Sequence, residues 1–268
     1  MQITPLPQGF GAEVSDCDPG KEAEAGVVAC LQQAFRDHHL LIFRSAGPIS
    51  PERQVEVAGW FGPVIVEGDA AWSVLDNAEP GGRFRLPFHS DTSFVEFPLT
   101  GLSLYPQSLP ANETSTTFVS GARAWQELPE ALRHELQDRK ARHYLAHEKI
   151  DLGRPFFEYW HPVCMRHPET GVPFLFVSEN HVQQIEGLSD ERCAEVLQIL
   201  FSALYAPERQ YEHIWGEGDL LVWNNYAIQH ARTRRADVSS GRRIMRRVQL
   251  GSMGFSTQVE RLRREIAA

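Results

Sequence analysis

Apolar residues recur along the chain at two different spacings. Across 21–38, Val27, Val28, Leu31 and Phe35 fall at intervals that mark one face of an α-helix. The following run, His39-Leu40-Leu41-Ile42-Phe43-Arg44, loses that period and becomes continuously apolar before a Gly-Pro turn, the pattern of a buried strand. Ser50-Pro51-Glu52-Arg53 places an N-cap residue before a proline at the first helical position and predicts a helix to Trp60. From about 64 to 120 the pattern changes to short strands punctuated by glycine and proline, with Asn77 to Leu86 composed as a loop. Trp125, Leu128, Leu132 and Leu136 share one face of a helix predicted over 120–139. Strands and loops return over 140–185, a helix follows at 189–204, and 211–253 is again strand-rich. Residues 1–19, broken by Pro5, Pro7, Gly9, Gly11 and Pro19, predict an irregular entry with one short strand. No repeat or low-complexity linker divides the chain. These elements predict a single domain over 1–268 of α+β class, mainly β at its core, with a double-sheet barrel and helices in front of and between the strands. The loop within 70–87 is a candidate lid.

Composition narrows the class without choosing a chemistry. A chain of 268 residues buries a full core without disulfides or structural zinc. Cys17, Cys30, Cys164 and Cys193 form no C-x-x-C pair, which argues against a zinc ribbon and a disulfide framework and suits a reducing, cytoplasmic setting. The first residues show neither a basic nor an apolar leader region, and no apolar run reaches the length of a membrane span. A net charge of −9 argues against nucleic-acid binding. One segment departs from that acidity: 232–247 carries seven arginines, at 232, 234, 235, 242, 243, 246 and 247.

Candidate chemistry starts at Phe88-His89-Ser90-Asp91-Thr92-Ser93-Phe94. On a strand, residues two apart share a face, so His89 and Asp91 project side by side. An imidazole and a carboxylate so placed are two corners of a 2-His-1-carboxylate site for iron(II), although a lone His-x-Asp is common by chance. The third corner is His230, just beyond the Leu220–Trp223 strand and an Asn224-Asn225 turn, and so expected near the barrel rim. Its alternative is a surface histidine among arginines. An arginine directed into a barrel is costly unless it meets an anion, and a guanidinium grips a carboxylate with two parallel hydrogen bonds. Gly241 to Leu250, which alternates imperfectly as a strand entering the core, therefore supplies candidate anion ligands.

Taken in order, these segments resemble the taurine dioxygenase / 2,4-dichlorophenoxyacetate dioxygenase (TauD/TfdA) family of 2-oxoglutarate-dependent oxygenases. The resemblance rests on Leu40-Leu41-Ile42-Phe43-Arg44, the Ser50 to Gly62 segment, His89-Ser90-Asp91-Thr92-Ser93-Phe94, and the stretch around Thr116. It continues through His161 to Gly171, Phe176-Val177-Ser178-Glu179, Trp223-Asn224-Asn225 with His230, and Arg242-Arg243-Ile244-Met245 with Arg247. It implies a double-stranded β-helix in which His89, Asp91 and His230 hold Fe(II). It further implies that Arg243, thirteen residues after His230, clamps the far carboxylate of 2-oxoglutarate with help from Thr116. Arg247 matches a position that binds the acidic group of the substrate in taurine-oxidising members. Two departures point to a different substrate: Trp223-Asn224-Asn225-Tyr226 stands where Trp-Asp-Asn-Arg is usual, and no glycine-rich turn precedes Thr116.

The implied reaction consumes O₂ and 2-oxoglutarate, releases succinate and CO₂, and hydroxylates an unactivated C–H bond of a small, anionic organic molecule. Desaturation or another oxidative outcome in natural-product biosynthesis is the alternative. Asp91 argues against halogenation, since halogenating relatives lack this carboxylate. Further substrate-facing candidates are His181 and Arg85, each with a solvent-facing alternative; Trp72, Phe84 and Phe88 either wall the pocket or simply pack. His161 and His167 are read as structural, and His38 and His39 as capping or exposed. The implied partners are a small-molecule substrate and further copies of the chain in a homodimer or homotetramer. Rival readings are a cupin-type metal enzyme that needs no 2-oxoglutarate, a non-catalytic barrel binding a small acid, and a nucleic-acid-binding arginine cluster.

Overall fold

The computed structural model describes residues 1–44, 46–79, 85–111, 114–146, 156–233 and 241–267. The chain opens with a hairpin of β1 (Gln2–Pro5) and β2 (Ala12–Ser15), so the irregular entry holds two strands rather than one. Helix α1 (Ala25–His38) ends at His39, whose φ of 63° turns the chain directly into β3 (Leu40–Phe43). Helix α2 (Pro51–Gly59) starts as expected: the Ser50 hydroxyl accepts from the Arg53 N–H. Next come β4 (Ser73–Asp76), β5 (Leu86–His89), β6 (Gly101–Ser108) and β7 (Ser115–Ser120). Within the expected lid, Ser73–Asp76 is therefore a sheet strand, while 80–84, with Phe84, lies outside the described residues.

The helix expected over 120–139 is two, α3 (Gly121–Glu127) and α4 (Glu130–Leu136). Pro129 has no N–H to continue α3 and its ring pushes Leu128 to an extended ψ of 146°. The apolar face survives the break, because Trp125, Leu128, Leu132 and Leu136 remain in one cluster. After it come β8 (Lys140–Ala146), β9 (Phe156–Pro162), β10 (Cys164–Arg166), β11 (Pro173–Leu175), β12 (Val182–Ile185) and α5 (Asp190–Tyr205). The last third contains β13 (Tyr211–Ile214), β14 (Leu220–Asn224), β15 (Ile228–Arg232) and β16 (Ile244–Leu250). A final helix, α6 (Phe255–Ala267), lies beyond the pattern read from the sequence.

Two sheets carry the barrel. The larger runs β1-β2-β3-β14-β6-β16-β4 and the smaller β13-β7-β15-β5. Strand alternation sorts their side chains. From β3 and β14, Leu40, Ile42, Leu221 and Trp223 enter the space between the sheets with Leu102, Leu104, Phe118, Ile228 and Met245. Their neighbours Leu41, Phe43, Leu220 and Val222 face the other way, under Leu31, Phe35 and Val57 of α1 and α2. This double burial explains the unbroken apolar run at 40–43. On the outer face of the smaller sheet, Val119 and Ala231 meet Phe88 and Tyr205 of α5. Among the described residues no helix is long and apolar enough to cross a membrane.

Candidate metal centre and its cavity

The smaller sheet brings the two histidines together by register. In the antiparallel β15–β5 pair His230 lies directly opposite His89, and their ring centroids are 4.4 Å apart. His230 is thus embedded mid-strand rather than at the rim. Asp91 reaches the same point by a different route from the one the strand periodicity suggests. β5 ends at His89, and Asp91 sits in the turn beyond it, where Thr92 takes a φ of 56°. The Thr92 hydroxyl accepts from the Leu99 N–H at 3.0 Å, fixing that turn.

Asp91 Oδ1 is 3.1 Å from His89 Nε2 and 3.5 Å from His230 Nε2, and ligand atoms of all three residues fall within 4.8 Å of one another. Donor atoms held about 2.1 Å from one ion at right angles are about 3 Å apart, so the set fits a first-row divalent metal. The tautomer also fits. His89 Nδ1 donates to the Pro87 carbonyl at 2.8 Å, which leaves Nε2 as the coordinating lone pair. Burial, then the neighbouring His89, pulls the His230 pKa down to about 3, so its imidazole is neutral. For Asp91, burial works to raise the pKa, but the His89 and His230 rings that face the carboxylate and the Arg247 guanidinium beside it outweigh this and hold the carboxyl well below its usual range. A neutral imidazole at His230 and an ionised carboxylate at Asp91 are the states that bind a metal.

A cavity of about 330 Å³ opens onto these three side chains. Leu102 and Leu104 of β6, Trp223 of β14 and Leu75 of β4 give it apolar walls, and Asn77, Arg232, Arg243 and Arg247 add polar ones. The arginines of the 232–247 cluster separate by face. Arg242 is exposed and pairs with Asp76. Arg246 is buried on the outer face of the larger sheet, where Nε donates to Gln54 at 2.6 Å and the guanidinium lies 4.9 Å from the Tyr105 ring centroid. Arg243 and Arg247 face the cavity on the same side as Met245. Arg247 donates to Asp91 Oδ2 and to Ser73 Oγ, both at 3.3 Å. Arg243 is 6% exposed and its Nε meets no hydrogen-bond acceptor among the described residues. Burial, then Arg232, pushes its pKa down to about 10, still charged at neutral pH. Arg234 and Arg235 lie outside the described residues.

The remaining candidates spread out. Thr116 is on the inward face of β7 with Phe118; its Oγ1 accepts from the Trp215 indole at 2.9 Å, and it is not among the described cavity-lining residues. His181 is buried rather than solvent-facing, beside Phe94 and His89, with Nδ1 against the Tyr144 carbonyl; burial brings its pKa to about 4. Arg85 is exposed, donates to the Thr233 carbonyl, and does not line the cavity among the described residues. Phe88 packs under α5 against Tyr205, and Trp72 is 37% exposed. His39 is a buried C-cap. Sequence reasoning missed Asn77 and Arg232 as cavity residues. Asn77 reads as loop composition, and Arg232 differs from its neighbours only through its place two residues after His230.

Comparison with known proteins matches residues 2–249 to the family model described as taurine catabolism dioxygenase TauD, TfdA family. The chain belongs to the TauD/TfdA family. It is accordingly a non-haem iron(II) enzyme that uses 2-oxoglutarate and O₂. Two TauD/TfdA relatives show the range of neighbours. The alpha-ketoglutarate-dependent 2,4-dichlorophenoxyacetate dioxygenase of a Burkholderia species is 29% identical over 262 residues, 90% of this chain and 86% of the relative. The alpha-ketoglutarate-dependent sulfate ester dioxygenase of Pseudomonas putida is 28% identical over 292 residues, 99% and 95%. The crystal structure of AAD-2 with Mn(II) and N-oxalylglycine superposes with a TM-score of 0.81 at 24% identity, over 94% of this chain and 99% of that one. That likeness establishes the double-stranded β-helix.

Proposed function

We propose that His89, Asp91 and His230 hold the iron(II), that Arg243 binds the distal carboxylate of 2-oxoglutarate, and that the enzyme hydroxylates a C–H bond of a small anionic organic molecule. The observation that carries this reading is the placement, in one cavity, of three converging metal-donor atoms and a buried guanidinium whose Nε has no acceptor among the described residues. A charged group so buried is expensive without an anion, so the orphaned Nε supports the co-substrate's carboxylate as its partner, although Asp76 and Glu79 also line the cavity.

When bound, the iron and 2-oxoglutarate supply the oxidising chemistry, with succinate and CO₂ as the co-products. The chain's own residues do the rest. Asp91 uses one oxygen toward the metal position and keeps the other on Arg247, which fixes the carboxylate's orientation. Thr116 lies behind the described cavity wall; its oxygen accepts from Trp215, and its hydroxyl hydrogen remains for a carboxylate that reaches past that wall. Leu102, Leu104 and Trp223 exclude water and accept an apolar body. Arg247 has Nε and one terminal nitrogen committed, and its second terminal nitrogen, which has no hydrogen bond to the described residues, is available for an acidic substrate group. A sulfate ester and a phenoxyacetate, named for the two relatives, share that combination of apolar body and anion.

The test is anaerobic titration of iron(II) and 2-oxoglutarate into metal-free protein, followed by the visible charge-transfer band of an iron-bound 2-oxo acid. The band should vanish in His89→Ala and require far more 2-oxoglutarate in Arg243→Ala. Its absence from folded, iron-loaded wild-type protein would overturn the reading. Small acids that stimulate succinate release then identify the substrate, and product mass separates hydroxylation from desaturation.

A further inference from the structure

Arg243 sits at an awkward point in the chain. The regular ladder between β16 and β4 ends at the Ile244–Asp76 rung. Two residues before Arg243, Gly241 has a φ of 118°, a conformation that side chains rarely adopt. Arg243 lies one residue past that rung, opposite Asn77. Its guanidinium is also pressed by a like charge, since Arg232 lines the same cavity and acts on Arg243 electrostatically.

One residue compensates for this. Asn77, 2% exposed and itself lining the cavity, extends the ladder by one backbone bond and adds its side chain where the second would fall. Its N–H donates to the Arg243 carbonyl at 3.1 Å, and its Oδ1 accepts the Arg243 N–H at 3.0 Å. Its Nδ2 donates to the Gly241 carbonyl at 3.3 Å. Both backbone polar groups of Arg243 are thus satisfied by one neighbour, and the preceding glycine is tied to the same side chain. Ala78 N–H caps Asp76 Oδ1 at 2.9 Å, and Asp76 pairs with Arg242, so the far end of β4 is itself anchored.

We propose that Asn77 is a positioning residue: its carboxamide sets the backbone from which Arg243 reaches into the cavity, and thereby gives the enzyme its selection of a dicarboxylic 2-oxo acid over a monocarboxylic one. This rests on Arg243 binding the distal carboxylate of 2-oxoglutarate. A monocarboxylic 2-oxo acid such as pyruvate presents the same chelating end and no distal anion, so its binding is independent of where Arg243 points.

The experiment titrates iron(II)-loaded protein anaerobically with 2-oxoglutarate and, separately, with pyruvate, reading dissociation constants from the charge-transfer band. In Asn77→Ala the constant for 2-oxoglutarate should rise about tenfold or more while that for pyruvate stays within about twofold of wild type. Asn77→Asp, which keeps the Oδ1 acceptor but brings a negative charge beside Arg243, should also weaken 2-oxoglutarate selectively. In an Arg243→Ala background, Asn77→Ala should cause no further loss of 2-oxoglutarate affinity. Parallel loss of both acids would mean general damage and overturn the proposal, as would an unchanged 2-oxoglutarate constant. If wild-type protein itself does not discriminate between the two acids, it is the assignment of Arg243 that fails, a result distinct from either.

Discussion

Asn225 holds the backbone of Asp91 from both sides: its Oδ1 accepts the Asp91 N–H at 2.8 Å, and its Nδ2 donates to the Asp91 carbonyl at 3.0 Å. The same Nδ2 also donates to the Leu99 carbonyl at 2.7 Å, and the side chain is completely buried. One carboxamide thus ties the turn carrying the proposed carboxylate ligand to the end of β14 and to the approach to β6. Asn77 does the corresponding service for Arg243, so each end of the site hangs on a buried asparagine.

Replacing Asn225 by alanine strands an N–H and two carbonyls in a site that water cannot reach. The expected cost is about 2–4 kcal/mol of unfolding free energy, measured by denaturant titration of the metal-free protein. Iron(II) affinity should fall as well, because Asp91 then loses its fixed backbone. Wild-type metal affinity in a folded Asn225→Ala protein would show that the turn holds its shape without the clamp.

Arg243→Lys separates charge from geometry. Lysine retains the positive charge but cannot form two parallel hydrogen bonds to a carboxylate. The 2-oxoglutarate dissociation constant should rise about 10- to 100-fold, with iron(II) affinity unchanged. Equal affinity in the lysine variant would mean that any cation at this position suffices.

Arg246 provides the opposite case. It lies on the outer face of the larger sheet, with Nε on Gln54, Nη2 on the Ile49 carbonyl and its plane near Tyr105. Arg246→Ala should destabilise the fold by about 2–4 kcal/mol through the loss of buried charged hydrogen bonds. Affinity for 2-oxoglutarate should be unaltered once the protein is folded. A large change in that affinity would place Arg246 in communication with the cavity.

These arginines show how far the sequence could be read. The apolar runs at 40–43 and 220–223 are legible as buried strands, and the segment around His89 and Asp91 as a candidate metal site, because period and residue type are local properties. Which of four arginines points inward is a matter of register: a shift by one residue exchanges the faces, and the bulge at Ile244–Met245 lies beside the decisive positions. Asp91 was found through a pattern that does not describe its backbone, since it sits in a turn and not on the strand. Arg232 and Asn77 carry no signal of their own, and Asn225 is legible only as part of a turn and a motif, because the contacts of all three come from segments distant in sequence. Helix α6 went unread because its apolar residues Phe255, Val259 and Leu262 matter only against Phe94 and Phe157.

The buried histidines outside the proposed ligand set predict a pH dependence of stability. His39 is 6% exposed, and burial, followed by the charges of His167 and His38, brings its pKa to about 4 against an unfolded value near 6.5. His161, 5% exposed and hydrogen-bonded to the Val95 carbonyl at 2.9 Å, is likewise brought to about 4, chiefly by burial. As pH falls below about 6.5 the unfolded chain takes up protons at both sites while the native protein does not, so the unfolded state is favoured. Stability is therefore full above that pH, declines as pH falls toward about 4, and stops declining from this source once the native histidines protonate. Each group contributes up to about 3 kcal/mol across the window. His39→Asn tests one share of it, because asparagine tolerates the left-handed backbone at this position and does not titrate. Denaturant titrations at about pH 7 and about pH 4.5 should show a smaller loss of stability in the variant than in the wild type, by about 1–3 kcal/mol. An identical loss in both proteins would mean that His39 already carries its proton in the native state at the lower pH, and that its ring reaches solvent.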